Sequence, residues 1–491
     1  MAKYPDSLLL IDGEMRPAEN GATYPDICPR DETEIGRAAD ASLKDLDQAI
    51  AGARRAFDTT DWSTNHTKRI AALRVFADVV KKNRDRLAQL AQDEVGVSLG
   101  CTFGAQCDWP LGMFDYIFET AENYEWEEDI GVSVGPTGMS SRRKVWREAV
   151  GVVACITPWN APTQVNLAKC IPALAAGCTV VLKAAPETPM LAALLGELAV
   201  EAKLPRGVFN VITSSTPAEI GEALVKDPRV DSISFTGSTP TGKRIMANAA
   251  EKLSRVFLEL GGKSASIILD DADFAKAVAS QAFGVCYNAG QGCATSTRIL
   301  VPKARYEEAV QILGASMKAV PYGDPNDPTQ IMGPLISKRQ QERVLNYIEI
   351  GKQEGARLVV GGKVPEGFDK GFWVEPTLFA DVNNNMRIAR EEIFGPVLVI
   401  IPYEDDEDAI RIANDSPYGL SGSVVSSNME RALNVARRVR TGTFSVNGGM
   451  WYGGDSPFGG YKQSGIGREM GKAGFEENLE MKTVAMPDVA A

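Results

Sequence analysis

The chain has 491 residues, too many for one ordinary core, so two or three domains are expected. With 44% hydrophobic and 24% charged residues it has the make-up of a folded globular protein, which excludes disordered and fibrous classes. A net charge of -12 argues against a nucleic-acid partner, and a single histidine, His66, excludes multi-histidine metal centres, so no metal site is expected.

Residues Asp61 to Gln92 carry Ile70, Leu73, Phe76, Ala77 and Val80 at helical spacing, with Arg74, Asp78, Lys82 and Asp85 opposite. The spacing is helical with a solvated charged face, and His66 is read as a surface residue at a helix start. Residues 142–150 (RRKVWREAV) alternate as a strand. From 151 to 262 short apolar runs alternate with helix-like segments: GVVACIT, TVVLKAA, FNVITS, SISFTGS and VFLELGG. This succession predicts a parallel sheet with helices on its faces. A second block over 263–470 adds RILVPKA, FGPVLVIIPY and GLSGSVV, with glycines and prolines in its turns. The tail holds LEMKTVAMP, a short strand candidate, and Pro487 and the last four residues are expected to be loose.

The cysteines, at 28, 101, 107, 155, 170, 178, 286 and 293, form no C-x-x-C pair. This is the usage of a reduced, cytoplasmic protein. Met1 to Asp12 lacks a secretory pattern, and no apolar run reaches the ~18 residues of a membrane span, so no membrane partner is expected.

SFTGSTPTG (234–242) sets an apolar strand before a turn rich in Gly, Ser and Thr, and a helix-forming run follows. Free N–H groups and the dipole at such a helix start suit a phosphate, and Ser238 or Thr239 either caps the helix or bonds a phosphate oxygen. The pattern differs from the usual G-x-G-x-x-G, and capping explains it as well as ligand binding does. Lys183 ends the TVVL run, where a side chain either faces a ligand crevice or begins a surface loop.

Cys293 lies among small residues, Ala289, Gly290, Gly292 and Ala294, which let a substrate approach a thiol. Glu259 stands between leucines at a strand end, where apolar surroundings raise a carboxyl toward the range of a general base. Asn160 sits between prolines in TPWNAP, where a fixed amide donates to a developing oxyanion or merely closes a turn. With no histidine at hand, the thiol must gain nucleophilicity from backbone dipoles, a bound cation or a glutamate base. Together the three suggest oxidation through a thioester.

In chain order stand TPWNAP (157–162), VVLKAAPETP (180–189), FTGSTPTG (235–242), LELGGK (258–263), YNAGQGC (287–293), EEIFGPV (391–397) and SPFGGYKQSGIGRE (456–469). Taken together they resemble the aldehyde dehydrogenase superfamily along nearly the whole chain. The resemblance implies an α/β fold: a Rossmann-like dinucleotide-binding domain (1–124 and 150–261), an α/β catalytic domain (262–470) and a small β oligomerisation element (125–149 and 471–491). It implies Cys293 as nucleophile, Glu259 as general base, and Asn160 with the Cys293 N–H as oxyanion donors. Lys183 would bind the adenosine ribose, Ser238 the pyrophosphate and Glu392 the nicotinamide ribose. Trp159 and Phe394 would border the cofactor, with Thr157 and Gly237 in the same site. The implied reaction converts an aldehyde to a carboxylic acid with NAD, in a homodimer or homotetramer.

Many NAD-using members place Glu three residues after the ribose-binding lysine; here that position is Pro186, with Glu187 following, so NADP remains open. Several members place aromatics after the PWN motif, where this chain has Ala161 and Ala168. The tunnel is expected to be wide, with Trp451 and Tyr452 at its entrance, for a bulky, uncharged aldehyde, aromatic or long aliphatic. Two other readings are a CoA-acylating semialdehyde dehydrogenase, which usually lacks the base glutamate, and a non-catalytic relative that serves as a binding protein. A cysteine hydrolase would require His66.

Overall fold

In the computed structural model, which describes residues 2–488, the apolar runs of 151–262 become adjacent parallel strands. Val152–Ile156 lies in the middle. The chain moves outward through Thr179–Lys183 to Phe209–Ile212, then returns to the other side with Ser232–Thr236 and Arg255–Glu259. Side chains alternate between two cores. Val153, Cys155, Val180 and Leu182 enter one, and Val152, Ala154, Val181 and Ile233 enter the other. Both faces are therefore covered, which is why these strands read as unbroken apolar runs. The switch point falls between Val152–Ile156 and Ser232–Thr236, where an open α/β sheet forms a crevice at its carboxyl edge.

The second sheet runs Arg357–Val360, Thr377–Ala380, Val397–Tyr403, Ser296–Pro302, Ser264–Ile268, Gly422–Val425, Ser445–Val446, parallel except for its first strand. It has its own core, built on Ile267, Leu300, Phe379 and Val399. A third sheet pairs Leu479–Pro487, Ser140–Ala149 and Glu127–Val134 antiparallel. It stands largely exposed and carries Ile130, Val132, Val134, Met139 and Met481 at its surface.

The 61–92 segment forms two helices, His66–Lys82 and Arg84–Glu94. Asn83 separates them, its side chain donating back to Val79 O at 2.9 Å. His66 is half-buried rather than a surface residue. Its ring packs 3.9 Å from that of Trp126, and burial, then Arg69, pulls its pKa down to about 4. Pro487 closes a strand instead of lying loose, because its partner Ser141 extends the ladder that far; Val489–Ala491 lie outside the described residues. Gly465–Ile466, expected in the second block, pairs with Arg255–Glu259 on the edge of the first sheet.

Arg69 explains how the far end of the site-bearing helix, Pro162–Ala176, is held. It is fully buried and donates to Ala175 O at 2.9 Å and Trp62 O at 2.7 Å. Replacing it with Met leaves those carbonyls unpaired. Arg69→Met should therefore cost about 2–4 kcal/mol, read as a lower urea midpoint by the fluorescence of Trp62 and Trp126.

Candidate active site

The two large sheets meet edge to edge. Thr157, Trp159 and Asn160 follow Val152–Ile156, Lys183 ends its strand, Gly237 and Ser238 follow Ser232–Thr236, and Glu259 ends Arg255–Glu259. All stand at the carboxyl edge of the first sheet. Cys293 precedes Ser296–Pro302, and Glu392 and Phe394 precede Val397–Tyr403, at the amino edge of the second.

The turn before Cys293 is strained. Asn288, Ala289 and Gly290 all have positive φ, at 50°, 52° and 71°. Such backbone costs about 1–2 kcal/mol for each non-glycine residue, so the surroundings must hold it. Gln291, fully buried, accepts from Ile336 N at 3.0 Å and donates to Asn288 O at 3.2 Å. Close packing finishes the job: a Cβ on Gly290 would lie 2.1 Å from Gly395 O, and one on Gly262 would lie 2.4 Å from Cys293 O.

Asn160 is buried and fixed from both ends. Its carbonyl accepts from Gln106 Nε2 at 2.7 Å and Asn288 Nδ2 at 2.8 Å. Its Nδ2 donates to Gln291 O at 3.0 Å. An amide nitrogen has two hydrogens, so one orients the group and the other is left for a ligand.

Cys293 is half-buried, while the other seven cysteines are buried and all eight are free. Burial, then the Glu259 carboxyl beside it, pushes its thiol well above the usual range. Glu259 is 1% exposed and its Oε1 has no hydrogen-bond partner. Burial pushes it up to about 8, against the Cys293 thiol that donates toward it. The buried cation whose charge reaches it, Lys169, pairs with Glu469 at 3.1 Å instead. A neutral thiol thus faces a carboxyl that takes a proton near neutral pH.

On the other side of the crevice, Lys183 is 4% exposed, and burial pulls it down to about 8 against nearby Glu187. Among the described residues no carboxylate forms an ion pair with it; Glu187 pairs with Arg339 at 2.8 Å. Thr157 Oγ1 and Thr236 Oγ1 are buried without partners. Ser238 caps the Thr239–Ala250 helix. Gly237 has no room for a side chain, since a Cβ there would lie 2.5 Å from the Phe235 ring. Glu392 accepts from Gly262 N at 2.9 Å, and burial pushes it up to about 6. Phe394, at φ 64°, meets Trp159 edge-on at 5.3 Å. Arg343 and Gln340 hold this turn through Glu392 O and Phe394 O, at 2.6 and 2.7 Å. The polar groups along this sheet edge, with Thr157 Oγ1 and Thr236 Oγ1 unpaired, suit the phosphates and ribose hydroxyls of a dinucleotide.

Around Cys293 and Ala294 the wall is apolar: Met113, Ala168, Leu420, Phe458 and Met470, with Trp451 and Tyr452. Trp451 stacks on Phe458 at 5.5 Å and 3°, and Tyr452 stands edge-on to both. Trp109, partly exposed, extends the rim toward Tyr452 at 5.4 Å. The sequence reading missed the bracing residues Gln106, Gln291, Gln340 and Arg343. Only Gln291 carried a signal, its place inside YNAGQGC.

The sequence matches the Aldehyde dehydrogenase family over residues 16–484. It is 42% identical to 3-succinoylsemialdehyde-pyridine dehydrogenase of Pseudomonas sp over 477 residues, 96% of this chain and 97% of that one. The fold superposes on a Mycobacterium tuberculosis aldehyde dehydrogenase complexed with NAD+ with TM-score 0.94, at 42% identity and covering 100% of both chains. A mutant of aldehyde dehydrogenase C from Pseudomonas syringae, in complex with NAD+ and octanal, gives TM-score 0.91 at 37% identity, covering 97% of this chain and 96% of that one. A likeness of this extent, carried by the whole chain, makes the protein a member of the aldehyde dehydrogenase family.

Proposed function

We propose that this protein oxidises an aldehyde to the carboxylic acid with NAD+, using Cys293 as covalent nucleophile. The observation that carries the reading is the meeting of one thiol, Cys293, with a buried carboxyl, Glu259, whose Oε1 is unpaired, beside an Asn160 amide held on Gln291 O two residues away with one N–H to spare. Cys293 sulfur attacks the aldehyde carbon as its proton passes to Glu259, giving a thiohemiacetal. Asn160 donates to the oxyanion; one such donor is typically worth about 3–4 kcal/mol. NAD+, when bound, would supply the hydride acceptor that oxidation of this adduct to the thioester requires. Glu259, after releasing the Cys293 proton to solvent, draws a proton from water, and the hydroxide displaces the Cys293 thiolate to release the acid.

Lys183, Ser238, Gly237 and Thr157 would hold the adenosine side of the cofactor, and Glu392, Phe394 and Trp159 the nicotinamide side. The helix-capping Ser238 leaves backbone N–H groups of its turn for phosphate. The two complexed neighbours are NAD+ complexes.

The substrate reading is a bulky, uncharged aldehyde, aromatic or long aliphatic. The aromatic and methionine wall supports it. So do the relatives: one is named for a pyridine-bearing semialdehyde and one is complexed with octanal. We assign 1–124 and 150–261 to dinucleotide binding, 262–470 to catalysis, and 125–149 with 471–491 to oligomerisation. The exposed apolar side chains of the third sheet support a homodimer or homotetramer built through it. Free cysteines support a reducing, cytoplasmic setting, and among the described residues no helix is long and apolar enough to cross a membrane.

NAD+ reduction across an aldehyde panel tests the reading. Cys293→Ala should abolish aldehyde-dependent NADH formation. Glu259→Gln should give at most one NADH per subunit, followed by turnover slowed about 10²–10⁴-fold; undiminished steady turnover in either variant overturns it. Asn160→Ala should lower kcat about 10²–10³-fold with an unchanged affinity for NAD+ by titration.

A carboxyl pushed up to about 8 is mostly protonated at pH 7 and becomes the base form above 8. Thioester hydrolysis should therefore accelerate from pH 7 to 9 with an apparent ionisation near 8. The residual rate of Glu259→Gln should lack that inflection when followed by stopped-flow acid release.

A further inference from the structure

Gln164 lies in the first turn of the Pro162–Ala176 helix, four residues before Ala168, so the two share a face of it. Ala168 belongs to the apolar wall that includes Cys293, and so do Met113 and Met470, the residues Gln164 touches. Gln164 is 4% exposed. Its Nε2 reaches only sulfur, 3.4 Å to Met113 and 3.8 Å to Met470, and its Oε1 has no partner. A thioether is a weak acceptor, so neither end of this amide has a full hydrogen bond. The other polar side-chain atoms of this wall, the Trp451 indole N–H, the Tyr452 hydroxyl and the Cys293 thiol, do not bond it. A buried amide left so is costly to folding, and packing alone would favour Leu or Met at this position.

We propose that Gln164 is a specificity-determining residue: its amide bonds a hydroxyl that the substrate carries on the side away from the aldehyde carbon. The proposal rests on the aldehyde-oxidising reading above. Asn160 stands just before the helix and Gln164 in its first turn, so both amides lie at the same end of the helix, beside the Cys293 wall. The stack of Trp451 and Phe458, with Tyr452 edge-on, suits a flat ring between those two polar groups. A hydroxyl both donates and accepts, so it satisfies the amide whichever way its oxygen and nitrogen point. Met113, unbranched and flexible, covers the amide and yields at low cost when a ligand enters. The substrate class this selects is the hydroxylated aromatic aldehydes.

The test compares kcat/KM for benzaldehyde, 3-hydroxybenzaldehyde and 4-hydroxybenzaldehyde in wild type, Gln164→Leu and Gln164→Met, with the acid product quantified by chromatography. Wild type should prefer one hydroxylated isomer over benzaldehyde by about tenfold or more. Both variants should lose that preference through the hydroxylated substrate alone, with benzaldehyde turnover kept or raised. Retained benzaldehyde turnover also shows that the variants fold. No preference in wild type, or a preference that survives in both variants, overturns the role of Gln164 and leaves the aldehyde reading standing. Failure of wild type to reduce NAD+ with any aldehyde overturns the aldehyde reading and this proposal with it.

Discussion

The hydrogen bond from Asn160 Nδ2 to Gln291 O spans the seam between the two sheets, and the site is organised around it. Asn160 belongs to the turn that leaves the central strand of the first sheet, and Gln291 stands two residues before Cys293. The chain itself crosses the seam only a few residues away, from Glu259 through Gly261 and Gly262 to Ser264–Ile268. Glycine makes the approach close enough. A Cβ on Gly261 would lie 2.6 Å from Glu392 Oε2, and one on Gly262 would meet Cys293 O. Acid, thiol and amide therefore come together through backbone contact, with no long side chains bridging a gap.

The same closeness sets the electrostatics. A rise of Glu259 from 4.5 to about 8 penalises its charged form by roughly 5 kcal/mol. An exposed ion pair returns only about 0–1 kcal/mol, so nothing short of a buried cation in contact would keep this group ionised. The buried cation available, Lys169, is spent on Glu469 and on the face of Phe257, 4.6 Å away. Had it bonded Glu259 directly, the carboxyl would be a fixed anion and a poor proton acceptor. The pairing of Lys169 elsewhere is what leaves Glu259 able to change its charge.

The strands of both large sheets were legible because a parallel strand buried on two faces leaves a contiguous apolar run. Cys293, Glu259 and Asn160 were legible through their small, apolar or proline-bound neighbours. Other features leave no local trace. Helical periodicity runs straight through Asn83, because both helices bury their apolar faces in the same core. His66 stands among polar residues, and the ring that covers it, Trp126, arrives from a distant segment. A two-residue strand at Gly465–Ile466 has no period to read; its glycine is needed because a Cβ would lie 1.9 Å from Leu258 O. Buried glutamines such as Gln106, Gln164 and Gln291 look in sequence like surface glutamines, since only tertiary packing buries them.

The lone histidine accounts for the rigidity of the thiol's surroundings. His66 neighbours Arg69, which bonds the carboxyl-terminal end of the Pro162–Ala176 helix. That helix of 15 residues is about 22 Å long, and Asn160 lies before its opposite end, so no imidazole can orient Cys293. In a Ser-His or Cys-His site the imidazole both takes the proton and fixes the nucleophile's direction. Here those two tasks are separated. In the proposed mechanism Glu259 takes the proton, and direction comes from the backbone: the left-handed run 288–290, locked by Gln291 and by contact with Gly395. Strain of about 1–2 kcal/mol per left-handed non-glycine residue is repaid by hydrogen bonds that would otherwise go unmade. Relaxing the turn would release that strain and free the thiol to point away from both acid and amide, so the strained backbone does the orienting that a histidine does elsewhere.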